Sequence, residues 1–468
     1  MKNNVNNEIK KNVIKSIISK YAIYAVQVVT LIIYARIFTP EQFGSVAIVV
    51  TIANFFILFG STSISSAIIT KRDLSKSQLD GILTISLFIG ILTAIVLGIL
   101  LYLAGSFFGN DKLYILGWFS YLTVFFSIVN STANASLIKD YRFKTISFNT
   151  ILGELLALVV ILLLLNSVRG VYLIGARFAI VQASIMIFNY RSSYSTSTGR
   201  CILGFDTSGF KIISNFLVNS MGFNILNYFT RNLDNLLVGK FYGFNSLGLY
   251  EKAYALMKYP IMLITSAANP AIQPILTKRG YSTESAYAAN NMIIRSVSNL
   301  GIFFSVFFFF YSSVIVNLLF GEAWLGVAPI LSAMSIAIPI QLITSFNGAF
   351  WQAADETAKQ FKVSVINAII FIPTVILSVI YVDNLNFFSY IISALLIITC
   401  SLSLVVMRNK LFKIRILSTL NIIVKIYIIL ITIISVSIYL NLIKYAYGVP
   451  VLLSTALMVY TLFKRKSF

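Results

Sequence analysis

Histidine is absent from all 468 residues. This one absence removes imidazole general bases, imidazole metal ligands and serine–histidine–aspartate triads together. Cysteine occurs twice: Cys201 falls in a polar connector and Cys400 in an apolar run. Neither a disulfide framework nor a CxxC metal site can be built from that pair. No GxxxxGK[ST] loop occurs, so the chain carries no nucleotide-hydrolysing engine of that type. Acidic residues are scarce, 15 against 36 Lys and Arg, and all charged residues together make up 11% of the chain.

Apolar residues are abundant. They form 58% of the sequence and mean hydropathy is +0.88, above the apolar share of ordinary soluble domains. Apolar runs of about 18 residues or more mark transmembrane helices. Fourteen such runs can be counted, from 16–38 through 212–239, 246–276 and, as the tenth, 325–349 to 419–440 and 446–463. The expected fold class is therefore an all-α membrane protein with about 14 transmembrane helices. Lys2, Lys10, Lys11, Lys15 and Lys20 resemble a signal-peptide n-region, but the apolar run Tyr21–Phe38 is too long for an h-region. It is expected to be an uncleaved first span.

The net charge of +21 could suggest a nucleic-acid partner, but the distribution of the cations argues against one. Of the 36 basic residues, 25 lie at the termini and in alternate short loops, and five lie in the intervening loops. This alternation is the positive-inside pattern. It predicts an even span count with both termini cytoplasmic and needs no nucleic acid to explain it.

A Ser/Thr-rich stretch, YRSSYSTSTGR at 190–200, interrupts the apolar runs after the sixth. The expected organisation is an N-lobe at 1–190, a cytoplasmic linker at 191–210, a C-lobe at 211–407, and two additional C-terminal spans at 408–468. Arg36–Gly44 (RIFTPEQFG) is echoed 204 residues later by Lys240–Gly248 (KFYGFNSLG). Six spans is an even number, so lobes related by that echo share one orientation, as in parallel-repeat transporters.

Charges within the spans are the candidate functional groups, because each costs at least ~2.5–3.5 kcal/mol at the bilayer centre. At 1.5 Å per residue, Arg231, Lys258 and Glu154 lie about 13–20 Å deep. Asp234, three residues from Arg231, shares its helical face. Arg177 is shallower, about 9 Å from the outer side, and fits an outer vestibule. Glu251 and Lys252 lie just inside the eighth span, whereas Arg295 and Lys425 can snorkel to the surface. Cations outnumber acids in the spans, which suits an anionic substrate recognised by Arg and Lys. The expected phosphate-binding set is Arg231, Lys258, Arg177 and Lys252. Asp234, Glu154 and Glu251 are expected to balance charge or take up a coupling proton. Pro260, Pro270 and Pro274 remove backbone donors from the eighth span and are expected to kink it.

Three stretches carry a family resemblance: ARIFTPEQFGSVAI at 35–48, RNLDNLLVGKFYGFNSLGLYEKAYALMKYP at 231–260, and LLFGEAWLGVAPIL at 318–331. With them the chain resembles, over essentially its full length, the Wzx-type polysaccharide transporters. These belong to the multidrug/oligosaccharidyl-lipid/polysaccharide (MOP) superfamily, and the colanic acid exporter-like subgroup looks most similar. The resemblance implies two six-helix lobes around a cavity, plus two C-terminal helices. It also implies a flippase, not an enzyme, that carries undecaprenyl-pyrophosphate-linked oligosaccharides across the bacterial inner membrane. No cofactor is implied beyond H+ or Na+ as a coupling ion. A polysaccharide polymerase and a chain-length regulator are the candidate protein partners. Three other readings compete: a multidrug antiporter, which would need mainly acidic intramembrane sites; a lipid II flippase, differing only in its glycan; and a membrane polymerase or ligase, which would need a larger outer loop than any here.

Overall fold

The computed structural model describes residues 2–71, 74–109, 113–278, 282–442 and 450. Their side chains are described except at 2–16, 59, 215–216, 218–227, 267–268, 270–271, 273–275, 277–278 and 440–442. The described chain is helical, without strands. Its helices are α1 (Lys2–Ile37), α2 (Pro40–Ile57), α3 (Ser63–Thr70), α4 (Lys76–Phe108), α5 (Leu113–Lys139), α6 (Phe143–Leu164), α7 (Gly170–Ser192) and α8 (Ser208–Phe241). They continue with α9 (Gly243–Lys278), α10 (Thr283–Leu319), α11 (Val327–Ser335), α12 (Ile338–Thr344), α13 (Asn347–Ala353), α14 (Thr357–Tyr381), α15 (Leu385–Phe412) and α16 (Ile416–Leu442). Two compact units divide the chain, Met1–Gly248 and Leu249–Phe468.

Among the described residues, ten helices are long and apolar enough to cross a membrane, or eleven if one bent pair is counted as a single span. The expected seventh and eighth spans form α8 and α9, of 34 and 36 residues. These two are not among the ten. Asparagines at 215, 219, 224 and 227 dilute the apolar content of α8, while α9 carries Glu251, Lys252 and Lys258 in its first half and Pro260, Asn269, Pro270, Gln273 and Pro274 from there on. The expected fourteenth span, 446–463, lies outside the described residues but for residue 450. Helix α9 runs without a break from Gly243 to Lys278 through the positions of Pro260, Pro270 and Pro274. On α4 the residues Phe88, Ile91, Leu92, Ile95, Ile99 and Leu103 are all exposed. Such a continuous apolar stripe is tolerable only in contact with lipid.

In the first unit, α5 is the central element, packing along α4 and α7, while α6 lies between α7 and α1. Helix α8 packs on α2, α3 and α4. Local sequence sets the helix starts. Thr39 and Gln42 form a reciprocal capping box with Pro40 in the first turn of α2, and Ser75 and Gln78 do the same for α4. A π-helical turn, Leu58–Thr62, joins α2 to α3. A polar network ties the three helices α5, α6 and α7: Asn149 donates to Asn189 at 2.9 Å and Asn189 to Asn130 at 3.2 Å.

The Ser/Thr-rich connector is fastened to this unit. Asp140 accepts from the backbone N–H and the hydroxyl of Ser197, both at 2.6 Å. Arg142 donates to the hydroxyl and carbonyl of Ser195. Further along, the N–H of Ile202 donates to Asp80 at 2.9 Å and that of Gly204 to Thr84 at 2.9 Å. Serine and threonine make such a stretch polar enough to stay in water, yet able to satisfy the backbone at a membrane surface.

In the second unit, α15 packs against α11, α12, α14 and α16, and α10 packs against α11 and α12. Trp324, Trp351, Phe346, Phe350 and Phe388 are fully buried. The tenth span, expected to be one helix over 325–349, is instead broken: Val327–Ser335 and Ile338–Ala353 meet at 58°. Pro339 in the first turn of α12 explains the break, since it has no N–H to continue the hydrogen bonding of α11.

Candidate functional site

Helices α6 and α7 approach closely at Gly153, where a Cβ would lie 3.2 Å from the carbonyl oxygen of Val181. The next residue, Glu154, is thereby brought against α7. It is 4% exposed, and its Oε2 accepts from a terminal nitrogen of Arg177 at 3.0 Å. Gln27 of α1 donates to Oε1 of the same carboxylate at 3.3 Å. The Arg177 guanidinium lies over the ring of Tyr34, 4.9 Å from its centre, and 5.4 Å from that of Phe178. The site is therefore an ion pair inside the helical unit, with one aromatic face and one amide completing it.

Its electrostatics follow from burial. Two charges withdrawn from water are tolerated when they pair and are hydrogen bonded. Arg177 retains capacity: its Nε is buried without a hydrogen-bond partner among the described residues. The guanidinium is a planar fork of donors, and 15% of the side chain stays exposed. Depth along the helices set Arg177 and Glu154 apart, one outer and one inner, by about 8 Å in a ~30 Å core. The long arginine stem closes that gap.

The other expected site residues have different surroundings. Asp234 is 1% exposed, whereas Arg231, one turn earlier on α8, is exposed. On α9, Lys252 is buried and pairs with Glu251 at 3.8 Å. Lys258 is exposed, with its ammonium 4.0 Å from the centre of the Tyr254 ring. Gln27 and Tyr34 were missed from sequence. Gln27 had a signal, as an amide within the first span, where polar groups carry interhelical contacts. Tyr34 had none, being one of 25 tyrosines. No group of three or more metal-ligating side chains occurs among the described residues.

Long apolar helices enclosing a charged pair make a polytopic membrane protein, and its fold is shared with solved structures of the MOP superfamily. The chain belongs to the polysaccharide biosynthesis protein family, whose model matches residues 33–329, more than half its length. It is similar to the succinoglycan biosynthesis transport protein ExoT of Rhizobium meliloti (strain 1021), 22% identical over 334 residues, covering 70% of this chain and 66% of that one. It is also similar to the lipopolysaccharide biosynthesis protein WzxC of Escherichia coli (strain K12), 21% identical over 371 residues, covering 77% and 73%. Among solved structures, the lipid II flippase MurJ in an inward closed conformation superposes with a TM-score of 0.74 at 14% identity, covering 96% of this chain and 98% of that one.

Proposed function

We propose that this protein is a flippase for undecaprenyl-pyrophosphate-linked oligosaccharide repeat units, moving them from the cytoplasmic to the periplasmic leaflet of a bacterial inner membrane. The observation that carries this reading is the part-buried Arg177, paired with the buried Glu154, in a chain of the polysaccharide biosynthesis family. A pyrophosphate and a glycan cannot enter hydrocarbon unaided, because their charges and hydroxyls would be desolvated without partners. An intramembrane guanidinium supplies a partner. Glu154 serves as its counter-ion while the substrate is absent. Arg231, Lys252 and Lys258 are proposed to add cations to the path, with Asp234 and Glu251 balancing them. The alternation of basic loops supports cytoplasmic termini.

The test is a clean deletion complemented with wild type, Arg177→Ala, Glu154→Gln, Arg231→Ala and Lys258→Ala. Surface polysaccharide is read on a glycan-stained gel, and the lipid-linked repeat unit by mass spectrometry. The expected result is loss of polymer and accumulation of one complete repeat unit in the deletion and in Arg177→Ala. A deletion with normal polymer and a normal lipid pool would overturn the reading. If it also changed sensitivity to cationic drugs, an antiporter would replace it.

A further inference from the structure

A second cationic site lies in the second unit, and its lining includes none of the residues proposed for the transport path. Where α10 begins, α15 ends and α16 starts, a cavity of about 480 Å³ opens. This is within the ~300–1,000 Å³ range of small-ligand sites. Its lining includes Tyr287 and Arg295 of α10, Arg408 of α15, Lys413 and Arg415 of the α15–α16 connection, and Ser418 of α16. None of the lining residues is acidic.

Arg408 is the deepest of the four cations, at 1% exposed. Its Nε donates to Thr419 at 3.2 Å, and one terminal nitrogen donates to Asn290 at 2.7 Å and Asn291 at 2.9 Å. The guanidinium carbon is 5.4 Å from the centre of the Tyr287 ring. All these partners are neutral, and among the described residues no carboxylate pairs with Arg408. A buried charge fixed by neutral groups, with three more cations around it, calls for an anion in the adjoining space.

Lys413 adds an independent observation. It closes α15 in the left-handed conformation, φ 57°, with its N–H donating to Asn409 at 3.1 Å and that of Ile414 to Arg408 at 3.3 Å. Glycine is the residue favoured at such a helix end. A lysine there is accounted for by its side chain, which lines the cavity. Three of the four cations and Ser418 are exposed, so the pocket is open to solvent or headgroups. Arginine forks, a lysine and a hydroxyl match a tetrahedral oxyanion, and basic pockets between transmembrane helices at this level hold lipid phosphates.

We infer that this pocket binds a phosphate group, supplied either by the headgroup of an anionic bilayer lipid or by a soluble phosphate. The inference does not rest on the transport reading. The test uses full-length protein in nanodiscs of phosphatidylcholine alone or with phosphatidylglycerol added, and in phosphatidylcholine with inorganic phosphate titrated. Wild type is compared with Lys413→Gly/Arg415→Gln, and with Lys359→Gln/Lys362→Gln as an equal charge loss in the first turns of α14. Thermal unfolding and native mass spectrometry of retained lipid are the readouts. Glycine suits the backbone at 413, so the first variant should be at least as stable as wild type in phosphatidylcholine. The expected result is a rise of several degrees in wild type and in the α14 control, lost in Lys413→Gly/Arg415→Gln. A rise with phosphatidylglycerol assigns the lipid, and a rise with inorganic phosphate assigns the soluble anion. No rise in wild type with either, or an equal rise in the pocket variant, or an equal loss in the control, overturns the inference.

Discussion

Gly44 and Gly248 lie back to back, each pressed on the start of the helix that carries the other. A Cβ on Gly44 would sit 1.7 Å from the carbonyl oxygen of Phe244, and one on Gly248 would sit 1.9 Å from that of Pro40. Pro40 and Phe244 are 204 residues apart, as are Gly44 and Gly248. The contact is therefore reciprocal, and the two echoed stretches meet at equivalent positions. The echo follows from the space available: two helix starts can come this close only where neither bears a side chain.

Replacing either glycine tests this. Gly44→Ala or Gly248→Ala must push one backbone off the other, and overpacking of this kind costs about 1–3 kcal/mol or more. A fall in Tm of the purified protein is expected for both. Gly348→Ala is the control, since its Cβ would meet only the side-chain nitrogen of Gln360 at 3.6 Å. Equal Tm values for all three variants would contradict the close approach.

The Glu154–Arg177 pair makes a second prediction. Glu154→Ala leaves a part-buried guanidinium without its counter-charge; breaking a fully buried pair costs about 3–5 kcal/mol, and the partial exposure of Arg177 lowers that. Removing both partners should cost less than the sum of the two single changes. A double-mutant cycle on denaturation of the detergent-solubilised protein measures the coupling. Additive effects would mean that the two side chains do not pair.

Arg200 lies on the fastened connector, exposed beside the ring of Tyr190 at 5.0 Å. Asp140→Ala deletes the acceptor for both the N–H and the hydroxyl of Ser197. Trypsin should then cut after Arg200 faster, because local opening governs proteolysis of a docked segment. Gel densitometry over time reads the rate, and unchanged cleavage would mean the connector is held by other contacts.

Cys201 is 3% exposed, and burial pushes its thiol up to about 11, with Lys76 opposing and Asp80 adding a smaller effect. The thiolate is the reactive form. At pH 8 only about a thousandth of this group is ionised, so iodoacetamide should label it slowly in the folded protein and faster as pH rises toward 11. Peptide mass spectrometry after timed labelling checks this. Denatured protein, with an ordinary cysteine pKa near 8.5, should label readily at pH 8.

The broken tenth span shows where sequence reading lost detail. Hydropathy over 325–349 is continuous, and it registers membrane depth without registering direction. The 58° bend depends on Pro339, a single residue whose lack of an N–H a window average does not see. Likewise, the Ser/Thr-rich stretch at 190–200 has the composition of a loose linker. Its hydrogen bonds to Asp140 and Arg142, like those that Ile202 and Gly204 just beyond it make to Asp80 and Thr84, come from partners more than fifty residues away in the chain.

The sequence by itself determined that this is a helical membrane protein with charges inside its spans and a repeated stretch 204 residues apart. Long apolar runs have no other stable home, because every backbone polar group must be satisfied within the segment. Only the tertiary structure decided which charges neutralise one another. Position along a helix gives depth, but pairing also needs the direction a side chain leaves the helix and the neighbour waiting there. Hence Glu154 and Arg177, 23 residues apart, share one site, while Arg408 is buried among neutral partners beside a cavity that no spacing in the sequence announces.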